Sequence, residues 1–276
     1  MGSSREFKFT DADFKFVATK VYEQSGITLA DHKRDMVYGR LARRLRELQL
    51  NTFRDYCSLI ESPEGEVEIV NFVNAVTTNL TSFFREGHHF DHLKECLQEI
   101  SLKPHANKRI RLWSAASSSG PEPYSIAMSV CEGLKNYKSY DVKILATDID
   151  TNMLDKAKSG EYEERILENI PSSYATKYVV KNSRKDTKGT MCDELKNLLT
   201  FKQLNLMHQW PMKGPFDFVF CRNVVIYFDK PTQIELFKKI SSLMRPGGIL
   251  YIGHSENLFK VSDDFELIGR TIYKKI

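Results

Sequence analysis

The chain has 276 residues, enough for one large domain or for a medium and a small domain with an independent core. Hydrophobic residues are 41% and charged residues 28%, a balance that excludes a disordered chain, and no apolar run approaches the roughly 20 residues of a bilayer-spanning helix. A net charge of +4 is too mild to imply nucleic acid, and the five cysteines contain no C-x-x-C pair, so neither a disulfide framework nor a zinc site is expected. No charged-then-apolar signal segment opens the sequence, so a cytoplasmic location is expected.

From Phe7 to about Val76 apolar residues recur three and four apart, with breaks at Gly26, Asn51 and the turn 62–65, which predicts a set of helices. Thr10 and Asp13 have the spacing of a capping box. Over Asp31 to Leu50 an apolar stripe of Val37, Leu41, Leu45 and Leu48 faces a surface rich in arginine, including Arg40, Arg43 and Arg44. Such a helix is either a solvated face or a docking face for an acidic partner. No aromatics interleave with the arginines, which argues against single-stranded nucleic acid.

Asn74 to Phe90 follows no helical period and reads as a linker, with Asn79, Thr81 and Arg85 set among Leu80, Phe83 and Phe84. His88, His89 and His92 lack an acidic or cysteine partner at metal-ligand spacing, so they read as helix-start histidines and no metal is expected. Arg109 to Met128 then reads as strand, small-residue turn and helix N-terminus, with Pro123 at the first helical position. That pattern suits either a nucleotide-type ligand or an ordinary α/β turn, and the missing G-x-G-x-x-G spacing disfavours a dinucleotide oxidoreductase.

Val142 to Ala146 is a second strand, and Asp148 follows it at the distance where nucleotide folds hold ribose hydroxyls. Thr151 to Ser159 is helical, capped by Asp150 or Thr151. Between Glu163 and Lys202, β-like pieces at 178–181 and 198–201 flank the polar loop NSRKDTKGT and suggest a small antiparallel insertion. Phe216 to Cys221 is a strand with Arg222 and Asn223 at its C-terminal end, where open α/β sheets place ligands. A helix over 232–244 and closing strands at 249–253 and 265–273 complete a doubly wound α/β sheet.

Five ordered motifs, TNLTSFFRE (78–86), LWSAASSSGPEPYSIAM (112–128), ATDID (146–150), CRNVVIYFD (221–229) and GGILYIGHSEN (247–257), closely resemble the chemotaxis receptor methyltransferases, the CheR family. The basic segment LADHKRDMVYGRLARRLREL fits the same family, so the resemblance covers nearly the whole chain. It implies an α/β fold: a Rossmann-like S-adenosylmethionine-dependent methyltransferase domain over 91–276 with an antiparallel β-subdomain inserted at about 170–202. An all-helical N-terminal domain over 1–76 and a linker over 77–90 that contributes to the active site would precede it. The implied reaction moves a methyl group from S-adenosylmethionine to glutamates of chemoreceptor cytoplasmic helices, leaving S-adenosylhomocysteine.

Carried over by motif, Asn79, Thr81 and Arg85 would contact the methionine portion or the sulfonium region, Glu122 would lie in the pocket and Asp148 would hold the ribose. Asn205 and Leu206, in FKQLNLM, match adenine-side contacts, and Arg222 and Asn223 would complete the pocket. Arg85 and Tyr227 match the pair next to the transferable methyl group, and Arg40, Arg43 and Arg44 would meet the acidic receptor. Two departures stand out: Pro121, where relatives often carry a second glutamate, and NSRKDTKGT in place of the glycine-rich loop of pentapeptide-tethered members. The second implies that no pentapeptide tether is required. Competing readings are a non-catalytic S-adenosylmethionine-binding sensor or scaffold, and a methyltransferase for another substrate.

Overall fold

The computed structural model describes residues 5–103, 108–181, 183 and 186–276. The chain divides into two units: residues up to Thr78 with Tyr227–Thr232, and Asn79–Ile226 with Gln233–Ile276.

In the first unit the capping box forms as its spacing dictates, the Asp13 amide donating to Thr10 Oγ1 at 3.2 Å and the Thr10 amide to Asp13 Oδ2 at 2.7 Å. It starts α1 (Asp11–Ser25), which ends at Gly26 in the left-handed region, φ 71°. A 3₁₀ turn (Asp31–Lys33), α2 (Arg34–Glu47), α3 (Phe53–Glu61) and α4 (Glu66–Val76) follow. Val37, Leu41 and Leu45 of α2 are buried, as are Tyr56 of α3 and Phe72 and Val73 of α4. The polar flank of α2 is used internally. Arg40 Nη1 donates to the carbonyls of Val76 at 3.1 Å and Thr77 at 2.5 Å, closing the C-terminal end of α4. Arg44 makes a two-pronged pair with the buried Glu68, at 2.9 and 2.6 Å. Glu68 also accepts from Tyr56 Oη at 2.9 Å and Asn71 Nδ2 at 3.1 Å.

The second unit opens with α5 (His88–Leu102) and alternates β1 (Arg109–Ala115), α6 (Pro121–Gly133), β2 (Asp141–Asp148) and α7 (Thr151–Ser159). Next come β3 (Glu161–Glu163), α8 (Glu164–Leu167), α9 (Ser172–Tyr178), β4 (Val179–Val180), β5 (Lys188–Met191) and α10 (Asp193–Lys196). The chain closes with β6 (Leu199–Gln203), β7 (Phe216–Cys221), α11 (Lys230–Ser242), β8 (Met244–Ile252), β9 (Phe265–Gly269) and β10 (Ile272–Lys275). The large sheet has the order β6-β2-β1-β7-β8-β10-β9. Its first five strands are parallel, and β10 pairs antiparallel with both β8 and β9. Strand order reverses between β1 and β7, and the register sets Ala115 opposite both Thr147 and Cys221. The loops leaving β1, β2 and β7 therefore emerge side by side at the crevice that such sheets offer to ligands.

The insertion differs from the sequence reading in two ways. Its sheet, order β3-β5-β4, begins at Glu161, and the segment 198–201 is not part of it. Leu199–Gln203 instead pairs in parallel with β2, because Leu199 and Phe201 pack onto the main core. Alternation reveals a strand but not its partner. The expected strand start at Tyr178 is the last turn of α9, and Asn182, Arg184 and Lys185 of the polar loop lie outside the described residues. Among the described residues no helix is long and apolar enough to cross a membrane.

Candidate active site

After β1 the backbone enters the left-handed region at Ala116 (φ 64°), Ser118 (φ 50°) and Gly120 (φ 101°). At Gly120 a Cβ would lie 2.5 Å from Tyr162 Oη and 2.9 Å from Ala157 Cβ, so only glycine fits. The turn delivers the Ser118 amide to Asp148 Oδ2 at 2.7 Å, while the Asp150 amide reaches Asp148 Oδ1 at 2.8 Å. Each carboxylate oxygen keeps a second lone pair for a ligand hydroxyl. Burial pushes the Asp148 carboxyl up to about 6, against the pull of these two amides.

Asp150 caps α7 through Oδ1, which accepts from the Asn152 amide at 3.0 Å, and its Oδ2 accepts from Asn79 Nδ2 at 2.7 Å. The Asn79 carbonyl in turn accepts from Ser118 Oγ at 3.1 Å, so the linker start is tied to both loops. On the other side of Asp148, its carbonyl accepts from the Leu204 amide at 2.9 Å, which brings in Asn205 and the buried Leu206. Asn205 Oδ1 accepts from the Met207 amide at 2.9 Å and shapes that turn.

A second cluster forms at the end of β7. Arg222, 4% exposed, donates through Nη1 to Glu122 Oε2 at 2.9 Å, and its Nη2 lies 3.3 Å from Glu86 Oε2 and donates to the Arg85 carbonyl. Glu122 also accepts from Ser114 Oγ at 2.7 Å. Glu86 accepts from Asn223 Nδ2 at 3.2 Å and pairs with His254 Nδ1 at 2.9 Å. The two carboxylates behave oppositely. Burial pushes Glu122 up, with Arg222 only partly offsetting it. Burial also opposes ionisation of Glu86, yet the His254 hydrogen bond, the Arg222 charge and Asn223 hold it down at about 2. Among the described residues, Arg222 Nε and Ser117 Oγ are buried without a hydrogen-bond partner.

Beneath this cluster Glu256, 6% exposed, accepts four backbone amides: Asn223 at 3.0 Å, Gly253 at 2.5 Å, Val225 at 2.8 Å and Ile226 at 3.3 Å. It fixes the loop that carries Arg222 and Asn223, where Asn223 is itself left-handed (φ 56°). Phe84 (φ 50°) and Glu86 (φ 58°) in the linker share that strain. Of nine non-glycine residues with positive φ among the described residues, five lie in these three segments, the clustering expected where a fold holds a ligand.

The structure thus brings together Asn79, Glu122, Asp148, Asn205, Leu206, Arg222 and Asn223. Thr81 and Arg85 lie on the linker between them, half-buried, with Arg85 Nη1 donating to the Leu80 carbonyl at 3.1 Å. Tyr227 is not in this group; it packs within the helical unit. Sequence reasoning misses Glu86 and Glu256 and reads Asp150 only as a candidate helix cap. Glu86 and Glu256 stood inside motifs already singled out, and the signal available was an acidic residue within an apolar or glycine-bounded run. The helix-start histidines bond separately: His88 Nε2 with the Arg270 carbonyl, His89 Nε2 with Thr271 Oγ1 and His92 Nδ1 with Tyr251 Oη, each at 3.0 Å.

Two family models match the chain: CheR methyltransferase, SAM binding domain, over residues 79–274, and CheR methyltransferase, all-alpha domain, over 12–77. The chain is 44% identical over 260 residues to a probable chemotaxis protein methyltransferase of Rhizobium etli, covering 92% of this chain and 96% of that protein. It is 42% identical to chemotaxis protein methyltransferase 2 of Pseudomonas aeruginosa, covering 98% of this chain and 95% of that one. With the chemotaxis protein methyltransferase of Escherichia coli it shares 43% identity, over 96% of this chain and 91% of the relative.

Proposed function

The chain belongs to the CheR methyltransferase family and is an S-adenosylmethionine-dependent methyltransferase, and on that premise we propose that it methylates glutamate side chains on the cytoplasmic helices of a chemoreceptor. The observation that carries the site assignment is the pair of buried clusters around Asp148 and Arg222, flanking the turn after β1.

These groups fit the cofactor. Asp148 offers acceptors for the ribose hydroxyls, Asn205 and Leu206 serve the adenine side, and the orphaned Arg222 Nε and Ser117 Oγ suit the charged amino-acid end together with Asn79, Thr81 and Glu122. When bound, S-adenosylmethionine supplies an electrophilic methyl group on a sulfonium. A glutamate acceptor is already ionised at neutral pH, so the chain needs no general base. Opposite charges vanish in the transition state, so an arginine clamped on the attacking oxygen would favour the ground state and slow transfer. Arg85 therefore orients the acceptor or the cofactor and apolar neighbours exclude water, positioning that can supply several kcal/mol of barrier reduction. Arg85→Ala lowers kcat, whereas Asp148→Ala weakens cofactor binding.

The basic face of α2 supports docking to an acidic receptor through Arg43, which pairs only at the surface with Glu47, more than through Arg40 or Arg44. No pentapeptide tether is required, on the strength of NSRKDTKGT. The decisive experiment incubates the protein with methyl-labelled cofactor and receptor cytoplasmic fragments. Label released as methanol by base, from mapped glutamates, is expected; base-stable label, or none, overturns the proposal. Micromolar binding of a receptor C-terminal pentapeptide in calorimetry would remove the tether-free part.

A further inference from the structure

The connection from β6 to β7, residues 204–215, contains no helix, unlike the connections β1-α6-β2 and β7-α11-β8. A helix answers its own carbonyls, whereas an irregular crossover needs donors from elsewhere. Here they come from one side chain on α11: Lys239 Nζ donates to the carbonyls of Leu206 at 2.7 Å and His208 at 2.9 Å. The same ammonium lies over the Trp210 ring, 4.4 Å from its centroid. Trp210 stands edge-on to the buried Trp113 of β1, with ring centroids 5.0 Å apart. Trp113 Nε1 in turn donates to Thr147 Oγ1 at 2.9 Å, one residue before Asp148. Burial pushes the Lys239 ammonium down, partly offset by the Glu235 charge, so holding these carbonyls costs the chain desolvation of a cation.

Both carbonyls belong to the turn that leaves β6. The Leu204 amide donates to the Asp148 carbonyl at 2.9 Å, and the His208 amide to the Asn205 carbonyl at 3.2 Å. The turn is thus tied to the ribose-side residue at its start and to Lys239 further along, with Asn205 and Leu206 held between them. A cavity of about 410 Å³, lined by Met207, His208, Trp210, Met212, Lys239 and Leu243, adjoins it, so packing alone leaves the turn room to shift. The geometry points to Lys239 as a positioning residue for the adenine-side wall of the cofactor pocket, acting through the carbonyls of Leu206 and His208. The inference rests on the reading of Asn205 and Leu206 as adenine-side residues. In that role Lys239 keeps the turn ordered before the cofactor arrives, so its loss is felt in binding and not in the methyl-transfer step.

The test uses the full chain and three variants: Lys239→Met, which keeps an unbranched stem without the charge, Lys239→Arg and Leu206→Ala. Lys239→Met is expected to weaken S-adenosylhomocysteine binding about tenfold in calorimetry and to raise KM for S-adenosylmethionine alike. Over the same change, kcat at saturating cofactor and KM for the receptor cytoplasmic fragment move less than about twofold. In the cofactor-free protein, hydrogen exchange quickens at the Met207 and His208 amides and holds at the Ser118 and Asp150 amides on the ribose side. Lys239→Arg retains most of the affinity, because a guanidinium also donates to carbonyls and sits on an aromatic face. Unchanged affinity despite quickened exchange would make Lys239 a structural brace only, and quickened exchange spreading through β1 and β2 would show general destabilisation. A fall in kcat at saturation with unchanged affinity would place its effect elsewhere; each of the three overturns the inference. Should Leu206→Ala leave S-adenosylhomocysteine binding intact, the adenine-side reading fails on that variant, and the role of Lys239 with it. A loss in Leu206→Ala with Lys239→Met binding like the wild type overturns the role of Lys239 alone.

Discussion

The arginines of α2 and the single Arg222 at the end of β7 are instructive side by side. In α2 a dense basic pattern suggests a charged docking face, yet Arg40 closes the end of α4 and Arg44 is paired with buried Glu68. Only Arg43 among the three has a largely exposed side chain, 77%. Arg222 stands alone in an apolar stretch, gives no pattern, and is the charge around which the site is built, between Glu122 and Glu86. Charge density along a helix does not measure charge available to a partner. What decides is how many carboxylates and carbonyls the fold has already turned toward each cation.

The largest expected effect comes from breaking the Arg222 side of this comparison. Arg222→Met leaves two buried carboxylates facing each other and should cost about 3–5 kcal/mol of stability, together with S-adenosylhomocysteine binding, as read by thermal unfolding and calorimetry. Arg44→Ala should be the next most damaging, at about 2–3 kcal/mol, because Glu68 keeps only Tyr56 and Asn71; hydrogen exchange of the α2 and α4 amides reports it. If Arg44→Ala instead left exchange unchanged while raising KM for the receptor, the helix would be a docking face after all.

A pH series sharpens the catalytic side. Because the Asp148 carboxyl titrates at about 6, above the ordinary carboxylate value, the folded chain binds this proton more tightly than the unfolded chain does. This group thus adds stability to the cofactor-free protein as pH falls from about 6 toward 4. Over the same window it loses an acceptor for the ribose. Calorimetry should find S-adenosylhomocysteine affinity about tenfold weaker at pH 5 than at pH 7.5, with Asp148→Asn weak and flat. The smallest effect belongs to Arg43→Ala: stability within about 0.5 kcal/mol, and a modest rise in receptor KM that disappears at high salt.

Much of the catalytic unit was legible in the sequence because local chemistry repeats there. The α7 span follows from a capping residue ahead of a periodic run, with the structure choosing Asp150 over Thr151 as the cap, and the turn at 116–120 follows from its small residues. The insertion was less so: 198–201 alternates like a strand, but its partner was set by where Leu199 and Phe201 could bury. Glu256 was hidden for another reason. Its four amide partners come from two loops that meet only through the register of β7 and β8.

By itself the sequence determined the alternation of strands and helices, the helical N-terminal segment and, through five ordered motifs, the cofactor and the family, because these depend on local periodicity and on residue types at fixed spacing. Tertiary structure alone decided which charges are answered inside the protein, and that Tyr227 packs with helices almost two hundred positions earlier in the chain. Burial and pairing are properties of positions in space, and neighbours along the chain do not fix them.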